Sequence, residues 1–130
     1  MSGRDERATL HDIYAATGRM RRYVSGLDKK AFLADDEKCY AVLAQLIIIG
    51  EAATRLPEPF RATAAHLPWR QMVGMRNRVV HGYDAIDWNI VWDVATLQGP
   101  VLHEAIGTLL QRVSGEPEER ADQQAPDSPP

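Results

Sequence analysis

An arginine, an amide, a histidine and a phenol lie within one short stretch of this chain, from Arg76 to Tyr83. A guanidinium is always charged and binds phosphate bidentately, and an imidazole with an ordinary pKa of about 6.5 exchanges a proton near neutral pH. Together these groups suit attack on a phosphodiester. Arg76, Asn77 and His81 are therefore the candidate catalytic residues.

The spacing predicts that this stretch lies on a helix. Asn77 and His81 would share one helical face, and Gly82 directly after His81 is typical of the position that follows a helix end. We therefore expect His81 in the last turn, where its ring reaches solvent. An arginine and a histidine in a last turn also stabilise the helix macrodipole, so a purely structural role is the alternative.

Helical periodicity extends along most of the chain and predicts an all-α fold, an antiparallel bundle of four to five helices. The first helix is expected over residues 9–25, where apolar residues recur at three- and four-residue spacing. Residues that begin or end helices mark the predicted boundaries, namely Gly26, Asp35 or Asp36, Pro57, Pro68 and Asp87. Pro100 is expected to kink or divide the last helix, because it lacks an N–H and clashes with the preceding turn.

The second long helix is apolar on nearly all sides from Val42 to Ala53. Such a helix needs burial on more than one side, so it either lies at the centre of the domain or also packs against a second subunit. Gly50 is small enough to permit close helix approach. Glu51 is the lone carboxylate of this run, and we expect it to point to water, with orientation of Arg76 or His81 as the alternative.

Charge and composition indicate one domain over residues 1–115 and a disordered acidic, Pro-rich tail over 116–130. The chain of 130 residues has a net charge of -3, of which the tail carries -4, so residues 1–115 carry +1. This near-neutral domain argues against a protein held to nucleic acid by bulk electrostatics. Arg19, Arg21, Arg22, Lys29 and Lys30 either form a basic rim for a polyanion or an ordinary solvated face.

No metal or cofactor is expected from the other reactive side chains. His11, His66 and His103 do not fall at metal-ligand spacing, and the single Cys39 excludes an internal disulfide and is expected to be a small apolar residue on a helix. No apolar run approaches the roughly 18 residues of a membrane span, and the N-terminus lacks the apolar core of a signal peptide. We therefore expect a cytoplasmic protein.

The stretch from Arg76 to Tyr83 fits the R-x4-H-x-Y signature of the HEPN superfamily and resembles its HepT-like ribonuclease toxins. Segments 32–35, 48–57 and 80–92 resemble the same branch, and the resemblance covers roughly residues 8–113. It implies a HEPN-like homodimer whose motif helices face each other across the subunit interface.

The resemblance also implies metal-independent cleavage of RNA. His81 would act on the ribose 2′-hydroxyl or on the leaving oxygen, and Arg76 would hold the phosphate and stabilise the transition state. Asn77 would orient the phosphate or the imidazole ring. Arg78 is outside the signature and is interpreted as an RNA-facing or interface cation.

Members of this branch pair with a minimal nucleotidyltransferase antitoxin, and the resemblance implies that AMP transfer to Tyr83 neutralises the toxin by blocking the cleft. The alternative is a non-catalytic helical partner subunit of the nucleotidyltransferase, in which Arg76 and His81 bind a nucleotide or RNA without cleaving it. The near-neutral domain favours this alternative, whereas the complete Arg, Asn, His and Tyr set favours the enzyme.

Overall fold

The computed structural model describes residues 3–82 and 84–115, and within them the side chains of residues 6–82 and 84–113. Tyr83 and the predicted tail, residues 116–130, lie outside the described residues. The all-α prediction is confirmed over the part of the chain that is described, where the β-structure amounts to one isolated antiparallel bridge between Val80 and Ile86. The predicted homodimer stays a prediction.

The helical segments follow one another with short connections. They are α1 (Gly3–Val24), α2 (Lys29–Leu33), α3 (Asp36–Arg55), α4 (Glu58–Ala62), α5 (Trp69–Val73), α6 (Met75–Val79), α7 (Trp88–Asp93), a π-helical segment (Val94–Gln98) and α8 (Gly99–Gly115). None of the described helices is both long enough and apolar enough to cross a membrane.

The predicted caps form where the sequence places them. The Asp35 carboxylate accepts a hydrogen bond from the Lys38 N–H at 3.1 Å and begins α3, and the Asp87 carboxylate accepts one from the Ile90 N–H at 3.2 Å and begins α7. Gly26 follows α1 with φ +81°, a conformation that glycine adopts without strain. The first helix begins earlier than predicted, at Gly3.

Helix α3 is the central helix, packed against α1, α2, α5, α6 and α7. Leu46 and Ile49 on this helix are completely buried. Gly50 permits close approach of α5, because a Cβ at this position would lie 3.2 Å from the Met72 carbonyl oxygen. Glu51 is exposed and points to water, as expected. A central position in the domain therefore accounts for most of the apolar surface of α3.

The division of the last helix at Pro100 is confirmed, and it takes the form of a π-helical segment. The Gly99 N–H donates to the Val94 carbonyl, five residues back, in place of the four-residue step of an α-helix. The wider turn admits the proline ring at the start of α8. Helix α8 then returns along α1, so that Gly99 lies beside Met20 and Gly107 beside Tyr14.

Candidate functional site

The motif stretch lies at the end of a helix that is interrupted at Gly74, between α5 and α6. Met72, Met75 and Val79 anchor the two short helices in the core. Val73, the last residue of α5, is 37% exposed.

The prediction that His81 lies in the last helical turn is wrong. Helix α6 ends at Val79, and Val80 is extended with φ −106° and ψ 112°. Val80 bridges Ile86, and the His81 N–H donates to the Ala85 carbonyl at 2.7 Å, so that the backbone pairs across a turn and cannot continue the helix. As a consequence, Asn77 and His81 do not share a helical face.

Gly82 has φ +93°, a conformation that favours glycine, but it belongs to a turn and not to the predicted helix end. The Ala85 N–H donates to the Gly82 carbonyl at 3.3 Å, and the Asp87 N–H donates to the Val79 carbonyl at 2.7 Å. Since Asp87 also caps α7, this turn is fixed between α6 and α7. The backbone of His81 is therefore held by hydrogen bonds on both sides of the turn.

The predicted catalytic side chains are exposed on this segment. One Arg76 Nη donates to the Asn77 Oδ1 at 3.4 Å, which restrains the guanidinium and leaves the Asn77 amide nitrogen as a donor. The His81 ring is exposed, and within residues 6–82 and 84–113 it forms no side-chain hydrogen bond, so the structure does not bring it onto Arg76 or Asn77. Tyr83, the predicted modification site, lies outside the described residues.

Arg78 is exposed and donates through Nη1 to the Gln98 Oε1 at 3.5 Å. Both side chains line a cavity of about 560 Å³ between α5–α6 and the segment that leads into α8. The cavity wall is mostly apolar, and the exposed side chains of Leu97 and Val101 stand at its edge, 66% and 70% exposed. Gln98 was missed by the sequence analysis, because nothing local signals a partner that lies 20 residues from Arg78.

Part of the predicted basic rim is already occupied within the fold. The Arg19 Nε donates to the Oε1 of the buried Gln45 at 2.9 Å, and the Arg22 guanidinium lies 5.7 Å from the centroid of the Tyr23 ring. Arg19 therefore has a structural role, whereas Arg21 and Arg22 remain exposed.

The exposed groups suit phosphate chemistry. Arg76 offers a charged fork for phosphate oxygens, Asn77 adds an amide donor, and His81 offers an imidazole for proton transfer. The residues that the structure describes contain no group of three or more His, Cys, Asp or Glu side chains placed to hold a metal ion. A short segment of this helical protein therefore exposes an arginine, an amide and an imidazole, which are the group types that can bind or cleave a phosphodiester.

Comparison with known proteins assigns the family. The family model described as "Ribonuclease HepT-like" matches residues 13–109. "Putative RNase MJ1380" of Methanocaldococcus jannaschii is 32% identical over 82% of this chain and 97% of its own length. "Probable ribonuclease HepT" of Thermococcus cleftensis is 31% identical over 74% of this chain and 92% of its own length. No solved structure shows significant similarity to the chain.

The chain therefore belongs to the HepT-like family of the HEPN superfamily, and the resemblance noted in the sequence is confirmed. Membership of this family supports a ribonuclease activity.

Proposed function

We propose that the protein is a metal-independent endoribonuclease and the toxin of a toxin–antitoxin pair that acts in the cytoplasm. The observation that carries the proposal is the complete Arg76, Asn77 and His81 set, exposed on one hydrogen-bonded segment of a HepT-like chain. The solvent-facing side chains are accessible to a polymer such as RNA without rearrangement of the core.

In the proposed reaction, an imidazole takes the proton of the ribose 2′-hydroxyl, and the 2′-oxygen attacks the adjacent phosphorus. The bond from phosphorus to the 5′-oxygen breaks, and this leaving oxygen takes up a proton, which yields a 2′,3′-cyclic phosphate and a 5′-hydroxyl. Arg76 neutralises the charge that develops on the non-bridging oxygens, and the Asn77 amide donates to them. His81 supplies the proton transfer.

This chemistry also gives a reason for a homodimer. The reaction has two proton transfers, one at the attacking oxygen and one at the leaving oxygen, and the motif segment contributes a single imidazole, that of His81. Two copies with their motif segments facing each other would supply one imidazole for each transfer and two guanidinium groups for one phosphate. We therefore propose that the active site is composite.

We further propose that a minimal nucleotidyltransferase silences the toxin by modifying Tyr83. The phenol oxygen would attack the α-phosphate of ATP, release pyrophosphate and leave AMP joined through a phosphodiester. Tyr83 stands two positions after His81 in the sequence. The adduct would put a charged phosphate beside Arg76 and His81 and occupy the position of the RNA phosphate.

The test is incubation of purified, unmodified protein with total RNA and with tRNA in excess EDTA. We expect cleavage by the wild type and its loss in Arg76→Ala and His81→Ala. Arg112→Ala and His66→Ala are matched controls of the same residue types, since both side chains are exposed and lie outside the motif, and they should cleave as the wild type does. Absence of cleavage by protein whose intact mass excludes an adduct would overturn the proposal.

A second candidate is a non-catalytic subunit that binds a nucleotide or RNA for the nucleotidyltransferase. The net charge of +1 on residues 1–115 favours it, because affinity for RNA grows with the number of phosphate contacts. Toxicity on expression without a partner separates the two candidates, since only the enzyme is expected to arrest growth. Loss of that toxicity in His81→Ala would assign it to the motif.

A further inference from the structure

A second pocket, lined by several polar side chains, lies between α1 and α8. These two helices do not carry the motif. Its volume is about 590 Å³. The side chains that give it chemical character are His11, Tyr14, Arg21, His103, Glu104 and Gln111. We call it the α1–α8 pocket. Its central feature is a parallel stack of the Tyr14 and His103 rings, with centroids 4.1 Å apart and planes inclined by 17°.

Two glycines make room for this stack. A Cβ on Gly18 would lie 3.3 Å from the Cε1 of His103, and a Cβ on Gly107 would lie 2.9 Å from the Cε1 of Tyr14. Glycine destabilises a helix interior relative to alanine, and these two positions lie inside α1 and α8. The fold therefore has two residues of low helix propensity at the place where the Tyr14 and His103 rings lie between α1 and α8.

The hydrogen bonds of His103 leave one ring nitrogen available. The single hydroxyl proton of Thr17 faces two carbonyl oxygens, of Ile13 at 3.1 Å and of Tyr14 at 3.0 Å, while Oγ1 lies 2.8 Å from the His103 Nδ1. When the hydroxyl donates to a carbonyl, Nδ1 carries the ring proton and donates to Oγ1. The ring also hydrogen-bonds the backbone carbonyl of Tyr14. With the ring proton on Nδ1, Nε2 keeps its lone pair and can accept a hydrogen bond.

Burial and a neighbouring cation both disfavour the charged form of this ring. Burial lowers the pKa of His103, and the charge of Arg21 lowers it further. Arg21 itself is exposed at the rim and forms no ion pair within the described part of the chain. The pocket thus offers the Tyr14 ring, which is 38% exposed, a hydrogen-bond acceptor in His103 and the Arg21 guanidinium, with the Glu104 carboxylate as a second acceptor.

We propose that the α1–α8 pocket binds a nucleotide, with the base against the Tyr14–His103 pair and the phosphate at Arg21. Aromatic rings stack on every base, and the two acceptors match the N–H donors of a base or the hydroxyls of a ribose. The guanidinium matches the phosphate. A free phosphate ion is a poorer match, because Glu104 repels an anion and the rings would stay uncovered. The nucleotide comes either from an RNA strand or from a free mononucleotide.

The test is a titration of full-length His81→Ala, which removes the proposed cleavage chemistry, followed by NMR of the His103 ring and the Gly18 and Gly107 amides. The probes are AMP, adenosine, inorganic phosphate and a short single-stranded RNA. We expect saturable shifts of these signals, and unchanged signals for His66. Shifts with AMP identify a mononucleotide site, and shifts with RNA alone identify a strand-binding site. Both outcomes support the pocket and neither depends on ribonuclease activity.

Substitutions in the pocket test which side chains contact the base and which contact the phosphate. Tyr14→Leu keeps an apolar side chain but removes the flat ring, and should weaken binding about tenfold or more. Arg21→Gln should weaken binding of AMP and leave binding of adenosine unchanged, and its exposed position makes it safe for folding. Tyr40→Leu and Arg70→Gln, at exposed positions outside the pocket, are the matched controls and should bind as the parent does. Absence of saturable shifts at His103, or wild-type affinity in both Tyr14→Leu and Arg21→Gln, would overturn the proposal.

Discussion

Replacement of Gly82 by alanine tests whether the turn after α6 determines the position of His81. Gly82 has φ +93°, and the nearest atom to a Cβ built there is the Asp84 Oδ1 at 3.8 Å. The space is open, so the cost of Gly82→Ala comes from the backbone alone and is about 1–2 kcal/mol. In a domain of this size we expect the Tm to fall by roughly 4–8 °C.

Two other glycines provide matched controls. Gly26 has φ +81° with no atom within 4 Å of a Cβ, so Gly26→Ala should cost about the same 1–2 kcal/mol at a position remote from the motif. Gly74 has φ −87°, which alanine adopts readily, and its Cβ would meet the Arg70 carbonyl oxygen at an ordinary 3.4 Å. Gly74→Ala should therefore leave the stability unchanged or raise it by up to about 1 kcal/mol.

The readouts are denaturant unfolding and RNA cleavage. Because small displacements of a catalytic group lower rates strongly, Gly82→Ala should lose about tenfold or more in kcat/KM, whereas Gly26→Ala should lose stability and keep its activity. The reasoning is refuted if Gly82→Ala and Gly74→Ala have the same denaturant midpoint of unfolding. It is also refuted if Gly82→Ala and Gly26→Ala lose the same fraction of kcat/KM.

Three further perturbations probe other parts of the structure. Burial, with Arg21 second, lowers the pKa of His103 in the folded protein, so the unfolded chain takes up this proton more readily and the folded protein should lose stability as pH falls through about 6.5. Denaturant midpoints of the wild type and of His103→Gln from pH 8 to pH 5 measure this effect. An equal dependence of the midpoint on pH in the two proteins would contradict it. Burial raises the pKa of Cys39, and the carboxylates of Asp36 and Asp35 raise it further. Because the thiolate is the reactive form, iodoacetamide should label Cys39 at pH 8 far more slowly in the native protein than in the unfolded protein. Mass spectrometry of the labelled protein measures the two rates. Asp87→Ala should lower the free energy of unfolding by about 1 kcal/mol through loss of the α7 cap, whereas Asp87→Ser should keep most of this stability. Equal denaturant midpoints for the two variants would count against the cap.

The features that the sequence predicted correctly are local ones. Asp35 and Asp87 cap helices because an aspartate carboxylate reaches an N–H only two or three residues away. The widened turn at Pro100 is local too, since it comes directly before the proline. The motif residues were identified as candidates in the same way, because Arg76 and His81 are close in the chain, and their catalytic role stays a prediction. The chemical character of these side chains follows from the sequence before any contact between helices is known.

The errors arose where a contact between segments decided the local structure. The end of α6 at Val79 depends on the bridge from Val80 to Ile86, and helical periodicity carries no information about that bridge. The Thr17–His103 hydrogen bond joins residues 86 positions apart, so the sequence offered His103 only as an isolated histidine. Stacking against Tyr14 could not be read from either helix alone.

The most direct test of the central claim is cleavage, in excess EDTA, of an RNA and of the same RNA with a 2′-deoxy nucleotide at the cut position. Attack by the 2′-oxygen, assisted by His81 and Arg76, predicts cleavage of the first RNA to a 2′,3′-cyclic phosphate and no cleavage of the second at that position. Equal cleavage of both, or products with a 3′-hydroxyl and a 5′-phosphate, would contradict the account.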